Sequence, residues 1–291
     1  PFQCDQQFRT MESGGYALTA REGSTVLILP TGPKRIVCLT EEPTEILYAL
    51  GCADKIVGIS AYTVRPMEAK KTKPIVSAFL DGSVKKIAAL QPDLVIGFSD
   101  IQADLAKRLV AANLNVMIFN QRSVQEILSV VDQVGAMVHR HAQAQALITD
   151  YQNNLDAIEQ SAQKFTHRPK VYFEEWDTPT ISAIQWVSEI IGIAGGVDIF
   201  ADRASGKLAK ERFVSTEEIC IAAPEIVFAS WCGKPFNRAA FEARFEGCPL
   251  PAILTGSVHE IPPEIILQPG PAALTDGVNM LHSLIKSHLV K

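Results

Sequence analysis

The 291-residue sequence lacks the motifs that identify common catalytic and nucleotide-binding sites. It contains no GxGxxG after a strand, no GxxxxGK[ST], no GxSxG and no HExxH. Its net charge of −5 offers no basic surface to nucleic acid. No apolar run approaches the roughly 18 residues that a membrane-spanning helix needs. We therefore expect a binding protein that is not an enzyme and that has no nucleic-acid partner.

Cysteine and histidine are few and scattered, which argues against a metal centre. The six cysteines form no CxxC pair, and no histidine stands at the spacing of a zinc site. Cys232 and Cys248 could form a disulfide in an oxidising compartment, but we favour free thiols. The six histidines fall mostly in two predicted helices, including His282 in the last one, where we expect solvent exposure. His259 falls in a predicted loop, and a single histidine there is more often a polar surface residue than a base. We predict no bound metal and no cofactor.

The amino-terminal region gives little evidence of structure. The sequence begins PFQCDQQF, without the basic, apolar and small-residue order of a signal peptide. A leader that has been removed and the absence of a leader both stay open. We interpret residues 1–33 as a lead-in hairpin or arm, with one short strand at residues 25–29.

Residues 139–165 contain no glycine and no proline and are predicted to form one long helix. At 1.5 Å per residue this helix would reach roughly 40 Å. Such a helix suits a strut between two lobes better than a core element, and an ordinary long surface helix of a single domain is the alternative. Its larger apolar residues form one narrow stripe: Leu147, Ile148, Tyr151, Leu155 and Ile158.

Strand and helix patterns alternate on both sides of this segment, which is typical of parallel sheets covered on both faces. SVKKIAALQPDLVIGFS before it aligns without a gap with STEEICIAAPEIVFASW after it, so that Ser83 falls on Ser215 and Pro92 on Pro224. In both, a serine-capped helix meets a proline and a buried strand follows. We predict an α/β fold of two Rossmann-like lobes with mostly parallel sheets, at residues 34–138 and 166–291. The helix at residues 139–165 joins them, and a ligand cleft lies between them.

Two further helix starts can be read from the sequence. Ser123 and Glu126 have the spacing of a capping box, in which the serine and the glutamate bond each other's backbone N–H. Thr44 is the predicted cap of the first helix of the first lobe, which would end at Gly51.

Parallel sheets meet their ligands with the loops that leave the carboxyl ends of their strands. In this chain those loops are rich in aromatic residues, and all three tryptophans fall in loops of the second lobe. Aromatic rings provide large and rigid contact areas, so the pattern favours a flat, bulky and partly apolar ligand. Packing between the lobes is the alternative for each single ring. The predicted ligand-binding residues are Glu42, Tyr62, Phe79, Phe98, Trp176, Trp186, Arg212 and Trp231.

Carboxylates outnumber cations in the same loops. Glu41, Glu42, Glu175 and Asp177 all stand there. This balance argues mildly against a strongly anionic ligand, which would require arginine pairs. A bare metal ion would need three or four converging His, Asp or Glu ligands, and the shortage of histidine in the loops counts against it.

Several segments together resemble a known family. PKRIVCLTEEPTEILYALG, KIVGISAYTVRP, IAALQPDLVIGFS, VSTEEI and LQPGPAALTDG are similar, in this order, to the substrate-binding proteins of ABC importers for iron-siderophores, haem and cobalamin. The likeness covers about residues 34–287 and is greatest for the cobalamin-binding members. It implies two α/β lobes on one rigid helix, a periplasmic or other extracytoplasmic location and an ABC transporter permease as partner. Because the predicted strut resists hinge bending, we expect small lobe movements on binding. The implied ligand is a corrinoid or cobalamin, with haem or a ferric siderophore as the alternative; we expect a monomer.

The resemblance also implies roles for individual residues. Tyr62 lies where cobalamin binders place a pocket tyrosine, and Phe79 and Phe98 lie where they place tryptophans. Trp176 occupies the corresponding aromatic position of the second lobe. Arg212 and its neighbour replace a tryptophan that those members carry before the short helix of the second lobe, so a related corrinoid or another large planar chelate stays open.

Family members dock on their permease through one glutamate per lobe, near the start of a short helix. Glu217 matches this position in the second lobe, although an acid there is also favoured by the helix dipole. In the first lobe the matching residue is Lys85, which reverses the charge, and Asp81 is a neighbouring acid that could substitute. The alternative that Lys85 favours is a soluble corrinoid-binding homologue, a sensor or an enzyme, without a transport role.

Overall fold

The computed structural model describes residues 9–13, 16–20, 31–78 and 81–290. The strand predicted at residues 25–29 and the predicted ligand residue Phe79 lie outside these ranges. Strands β1 (Arg9–Ser13) and β2 (Tyr16–Ala20) pair antiparallel as a separate hairpin. Among the described residues, no helix combines the length and the apolarity needed to cross a membrane.

The first lobe is a five-stranded parallel sheet with the strand order β5-β4-β3-β6-β7. Helices follow its strands, as the alternating pattern predicts. Its elements are β3 (Ile36–Cys38), α1 (Glu41–Ala49), β4 (Ile56–Ser60), α2 (Met67–Thr72), β5 (Ile75–Ser77), α3 (Val84–Ala89), β6 (Leu94–Phe98), α4 (Ala103–Ala111), β7 (Val116–Phe119) and α5 (Val124–Met137).

The second lobe has the order β10-β8-β11-β12, all parallel, and β9 pairs antiparallel with β8. The connecting helix α6 (His141–Ala162) precedes it. Its elements are β8 (Lys170–Asp177), β9 (Thr180–Ser182), α7 (Gln185–Ala194), β10 (Val197–Asp198), α8 (Thr216–Ala222), β11 (Ile226–Ala229), α9 (Arg238–Ala243), α10 (Pro251–Leu254), β12 (Val258–Glu260), α11 (Pro263–Ile266) and α12 (Val278–Leu289).

The duplication predicted from the sequence is present in the structure. Helices α3 and α8 begin at aligned positions, Val84 and Thr216, and the strands β6 and β11 that follow them begin at Leu94 and Ile226, which are also aligned. Each strand lies inside its own sheet, next to the strand that starts the lobe. The predicted α/β fold of two lobes joined by a long helix is therefore confirmed.

The connecting helix is shorter than predicted and is part of the core. It begins at His141 because His139 has a positive φ of 58°, which separates it from α5. Tyr151 and Leu155 of the predicted stripe are buried, and the helix packs against α5, α7 and α12. One buried cluster contains Ile46 of the first lobe, these two residues and the apolar faces of α7 and α12. The lobes thus share a continuous core, which corrects the interpretation of the helix as a strut outside the core.

The capping predictions had mixed outcomes. Ser123 and Glu126 form the predicted capping box, with backbone-to-side-chain distances of 3.2 and 3.1 Å. The predicted cap at Thr44 is wrong, because α1 begins earlier, at Glu41, and Thr44 is buried inside it. Pro43 lies in the first turn of that helix, where no intrahelical N–H bond is lost.

Candidate functional site

A cavity of about 320 Å³ lies between the two lobes, at the carboxyl ends of their strands. The first lobe contributes residues 98–101, at the carboxyl end of β6, and Arg122, which follows β7. The second lobe contributes the end of β8, the start of α7 and residues 207–209 with Arg212. The cavity therefore lies where parallel α/β sheets usually bind ligands.

Three aromatic side chains among the predicted ligand residues line this cavity: Phe98, Trp176 and Trp186. Trp186 is buried, and its indole N–H donates to the carbonyl oxygen of Ile266 at 2.8 Å. Trp176 is half-buried, and its indole N–H donates to the carbonyl oxygen of Thr178 at 3.0 Å. These bonds orient both indoles, so the cavity has rigid apolar walls.

Arg212 lines the same cavity and forms a bidentate ion pair with Glu175. The Nη1–Oε2 and Nη2–Oε1 distances are 2.5 and 3.0 Å, and Nη1 also donates to the carbonyl oxygen of Ser182 at 2.7 Å. The Arg212 side chain is only 4% exposed. A buried charge of this kind is tolerated only with a well-placed partner, so Glu175 holds Arg212 at the cavity wall.

Arg122 is a cavity residue that the sequence reasoning missed. Its Cζ lies 5.3 Å from the centroid of the Phe98 ring, and Nη2 donates to Ser99 Oγ at 2.8 Å and to Asn120 Oδ1 at 3.0 Å. Burial lowers the pKa of its guanidinium, while the carboxylate of Asp100 raises it. Arg122 stands in the loop that leaves β7, so a complete survey of the strand ends would have included it.

Three other predicted residues lie away from this cavity. Glu42 is buried in α1, where it contacts Gly270 of the second lobe. Tyr62 is 41% exposed in the loop after β4. Trp231 is buried against Phe236, with ring centroids 5.0 Å apart, because the segment after β11 folds over it. Four predicted side chains thus meet at one cavity and these three do not; Trp186 stands in α7, not in a loop.

A group of carboxyl groups is buried where α1 meets the second lobe. Glu42 is 1% exposed, and burial raises its pKa to about 7. Burial, together with the charges of Glu42 and of Glu264 in the second lobe, raises the pKa of Glu41 to about 8. Glu45 is paired with Arg65, at 2.9 Å between Oε1 and Nε. Glu41 and Glu42 at the lobe interface therefore stay protonated at pH values at which an exposed glutamate has already lost its proton.

The predicted docking positions occupy equivalent places in the two lobes. Lys85 and Glu217 are both exposed, in the first turns of α3 and α8. Asp81, the neighbouring acid, is exposed but forms an ion pair with Arg108. The first lobe therefore presents a cation where the second presents an anion.

In the part of the chain that the structure describes, the histidines and cysteines form no cluster that suits a metal. Within the described residues, no group of three His, Cys, Asp or Glu side chains is placed to hold an ion. Cys232 and Cys248 are free thiols. His282, expected to be exposed, is buried, because its ring nitrogens lie 2.9 Å from the Ala194 carbonyl oxygen and 3.0 Å from Ser161 Oγ. His259, predicted in a loop, stands in β12.

Comparison with known proteins identifies relatives over most of the chain. The sequence pattern of the family described as periplasmic binding protein matches residues 36–265. An ABC transporter substrate-binding lipoprotein of Bacillus subtilis is 26% identical over 259 residues, which cover 86% of this chain and 79% of that protein. The vitamin B12-binding protein of Vibrio cholerae is 28% identical over 214 residues, 71% of this chain and 74% of that protein.

A solved structure shares the fold. The periplasmic haem-binding protein of Roseiflexus matches with a TM-score of 0.72 and 23% identity, over 88% of this chain and 100% of that chain. The relatives found by sequence and by structure are thus named for binding and transport.

Proposed function

Since the chain belongs to the periplasmic binding protein family, we propose that it captures a metal-chelate nutrient, a corrinoid such as cobalamin, and delivers it to an ABC importer. The observation that carries the proposal is the cavity between the lobes, walled by Phe98, Trp176 and Trp186. Similarity to the vitamin B12-binding protein of Vibrio cholerae supports a corrinoid as the ligand class. The protein acts by binding, without catalysis, in the periplasm or another extracytoplasmic compartment.

The aromatic walls suit the body of a planar chelate. Flat rings lose little conformational entropy on binding and remove large apolar areas from water. A volume of about 320 Å³ is at the lower end of ligand sites, so a corrinoid would bind with part of its ring at the cavity mouth. Because α6 and the shared core connect the lobes, we expect small lobe movements on binding.

Titration of the purified protein tests the ligand class. We would add cyanocobalamin, dicyanocobinamide, hemin or a ferric siderophore and follow tryptophan fluorescence, expecting saturation by a corrinoid with a Kd below about 100 μM. Trp176→Ala should weaken this binding about tenfold, because it removes one wall. Leu254→Ala, at a 72% exposed position on α10, is the control and should bind normally. Preferential binding of hemin or the siderophore would assign the alternative ligand class, and binding of none would refute the proposal.

Delivery requires contact with a permease. Glu217 on α8 is the docking acid in this proposal, whereas Lys85 on α3 places a cation at the equivalent position of the first lobe, where it would repel a basic permease surface. In proteoliposomes containing a corrinoid importer, Glu217→Lys should abolish stimulation of ATP hydrolysis by the loaded protein, and Lys85→Glu should increase it. Intact corrinoid binding without any stimulation, in the wild type and in Lys85→Glu, would favour the second candidate. That candidate is a corrinoid-binding homologue without a transport role, and the reversed charge at Lys85 is the observation that supports it.

A further inference from the structure

Two guanidinium groups from opposite lobes face the same cavity. Arg122 comes from the loop after β7 of the first lobe, and Arg212 precedes α8 of the second. They are close enough for the charge of Arg212 to lower the pKa of Arg122, in addition to the larger effect of burial. Like charges at a partly buried site repel each other, so this arrangement is costly unless an anion lies near both.

The two arginines differ in how far the protein neutralises them. Arg212 is 4% exposed and has a bidentate partner in Glu175. The Arg122 side chain is 20% exposed, and its nearest carboxylate is Asp100, at 3.4 Å. Asp100 is itself 61% exposed and accepts the Ser99 hydroxyl at 2.6 Å. The positive charge of Arg122 is therefore neutralised less completely than that of Arg212.

The hydrogen bonds of both side chains are also incomplete. In the described part of the chain, the Nε–H groups of Arg122 and Arg212 are both buried and lack an acceptor. Buried donors without acceptors are rare in folded proteins, and a charged donor is the most costly kind. Both side chains therefore have hydrogen-bonding capacity that the protein leaves unused.

The charges that line the cavity have a positive balance. Three cations and two carboxylates are present, and the third cation, Lys207, is exposed on the second lobe. The cavity thus combines apolar aromatic walls with one positive charge in excess. In the loop sequences carboxylates outnumber cations. Two of those carboxylates, Glu41 and Glu42, are buried at the lobe interface and do not line the cavity.

We infer that the ligand of this cavity carries an oxyanion, a carboxylate or a phosphate ester, and that Arg122 binds it while the aromatic walls hold the planar body. This inference rests on the proposed function, because it assigns a group to the ligand of the same site. The oxyanion has two possible sources in planar chelates: carboxylate side arms, as in hemin, and a phosphodiester arm, as in cobalamin. Both present oxygens that the guanidinium fork can bind with two hydrogen bonds.

Matched probe pairs distinguish these sources. Hemin would be compared with hemin dimethyl ester, which lacks free carboxylates, and cyanocobalamin with dicyanocobinamide, which lacks the phosphodiester arm. Each would be titrated into the wild type, Arg122→Gln, Arg122→Lys and the control Lys286→Gln, which removes an exposed cation of α12. Circular dichroism would verify that each variant is folded.

For the pair that contains the right chelate, the member that carries the oxyanion should bind the wild type at least about tenfold more tightly. Arg122→Gln should lose about tenfold in affinity for that member and less than about twofold for the member without the oxyanion. Arg122→Lys should retain part of the affinity, and Lys286→Gln all of it. Raising the salt concentration should weaken ligand binding by the wild type more than ligand binding by Arg122→Gln.

Two results would overturn the inference. If the wild type binds both members of each pair equally, the oxyanion has no role, although the proposed function stands. If Arg122→Gln weakens both members of a pair equally, Arg122 acts through packing on Phe98 and not through charge. Binding of none of the four probes would refute the proposed function, and the inference with it.

Discussion

A Cβ atom placed on Gly270 would lie only 3.1 Å from the Cβ of Glu42, so the second lobe approaches helix α1 more closely than is usual for a residue with a side chain. We expect Gly270→Ala to lower the free energy of unfolding by about 1 kcal/mol, since overpacking forces neighbours to shift. Urea denaturation measures this change. Gly247→Ala is the matched control, because no atom lies within 4 Å of a Cβ there. If the two variants were equally stable, the contact between Gly270 and Glu42 would accommodate a methyl group without cost.

The burial of Glu42 predicts that stability depends on pH. In the folded protein this carboxyl keeps its proton up to about pH 7, whereas the ordinary value is 4.5. As the pH rises through this window, the unfolded chain releases the proton first, so ionisation favours unfolding. The contribution of Glu42 to stability is therefore largest at low pH and declines until the folded carboxyl has titrated.

Glu42→Gln removes this titration, so the variant should gain stability relative to the wild type as the pH rises. The gain should be on the order of 3 kcal/mol at about pH 8 and should vanish near pH 4. Urea denaturation of both proteins across this range measures it. Glu68→Gln, at an exposed position on α2, is the control and should show no such trend. A gain that is the same at every pH would show that packing, not ionisation, causes it.

The ion pair between Glu175 and Arg212 predicts a non-additive effect on stability. Glu175→Gln leaves the buried Arg212 charge without its partner, so we expect a loss of about 3 kcal/mol. The double variant Glu175→Gln/Arg212→Met removes that charge as well and should recover most of the loss. Urea denaturation of the wild type, the single variants and the double variant measures how far the two effects on the free energy of unfolding depart from additivity. At the exposed pair of Arg238 and Glu242, Glu242→Gln should cost less than about 0.5 kcal/mol.

The features that the sequence predicts well are local or repeated. Alternating strand and helix patterns, serine caps and the gapless repeat of helix, proline and strand depend on neighbours along the chain, and the two lobes and their sheets follow from them. The sequence predicts Phe98 and Trp176 as cavity residues because parallel strands place their carboxyl ends at one edge, whereas Trp186 reaches the cavity from the first turn of α7. The burial of His282 could have been recognised as well, since Val278, Leu281 and Ile285 share its face of α12.

What the sequence could not predict depends on contacts between distant segments or on the course of an irregular loop. The sequence predicts Glu42 as a ligand-binding loop acid, but Gly270, close to the other end of the chain, packs against it. Trp231 looked like a ligand-facing ring, but the segment with Phe236 covers it. The charge environment of Arg122 depends on Arg212 in the other lobe. None of these pairs has a sequence spacing that indicates contact.

The duplicated halves permit a comparison of two helix caps in the same fold. Ser215 accepts the N–H of Glu218 at 3.2 Å and its own N–H donates to the Glu218 carboxylate at 2.8 Å, whereas Ser83 accepts only the N–H of Lys86, at 3.3 Å. The two bonds of the box support each other, and Glu218 is also fixed by its ion pair with Arg203.

We therefore expect Ser215→Ala to lower the free energy of unfolding by about 1 kcal/mol and Ser83→Ala by about 0.5 kcal/mol. Hydrogen exchange of the first-turn amides of α8 and α3 would locate each loss at its own helix. Ser287→Ala, which removes an exposed hydroxyl inside α12, controls for the loss of a serine and should change stability little. If Ser83→Ala proved as costly as Ser215→Ala, the glutamate of the box would contribute nothing, and the serine hydroxyl alone would determine where both helices begin.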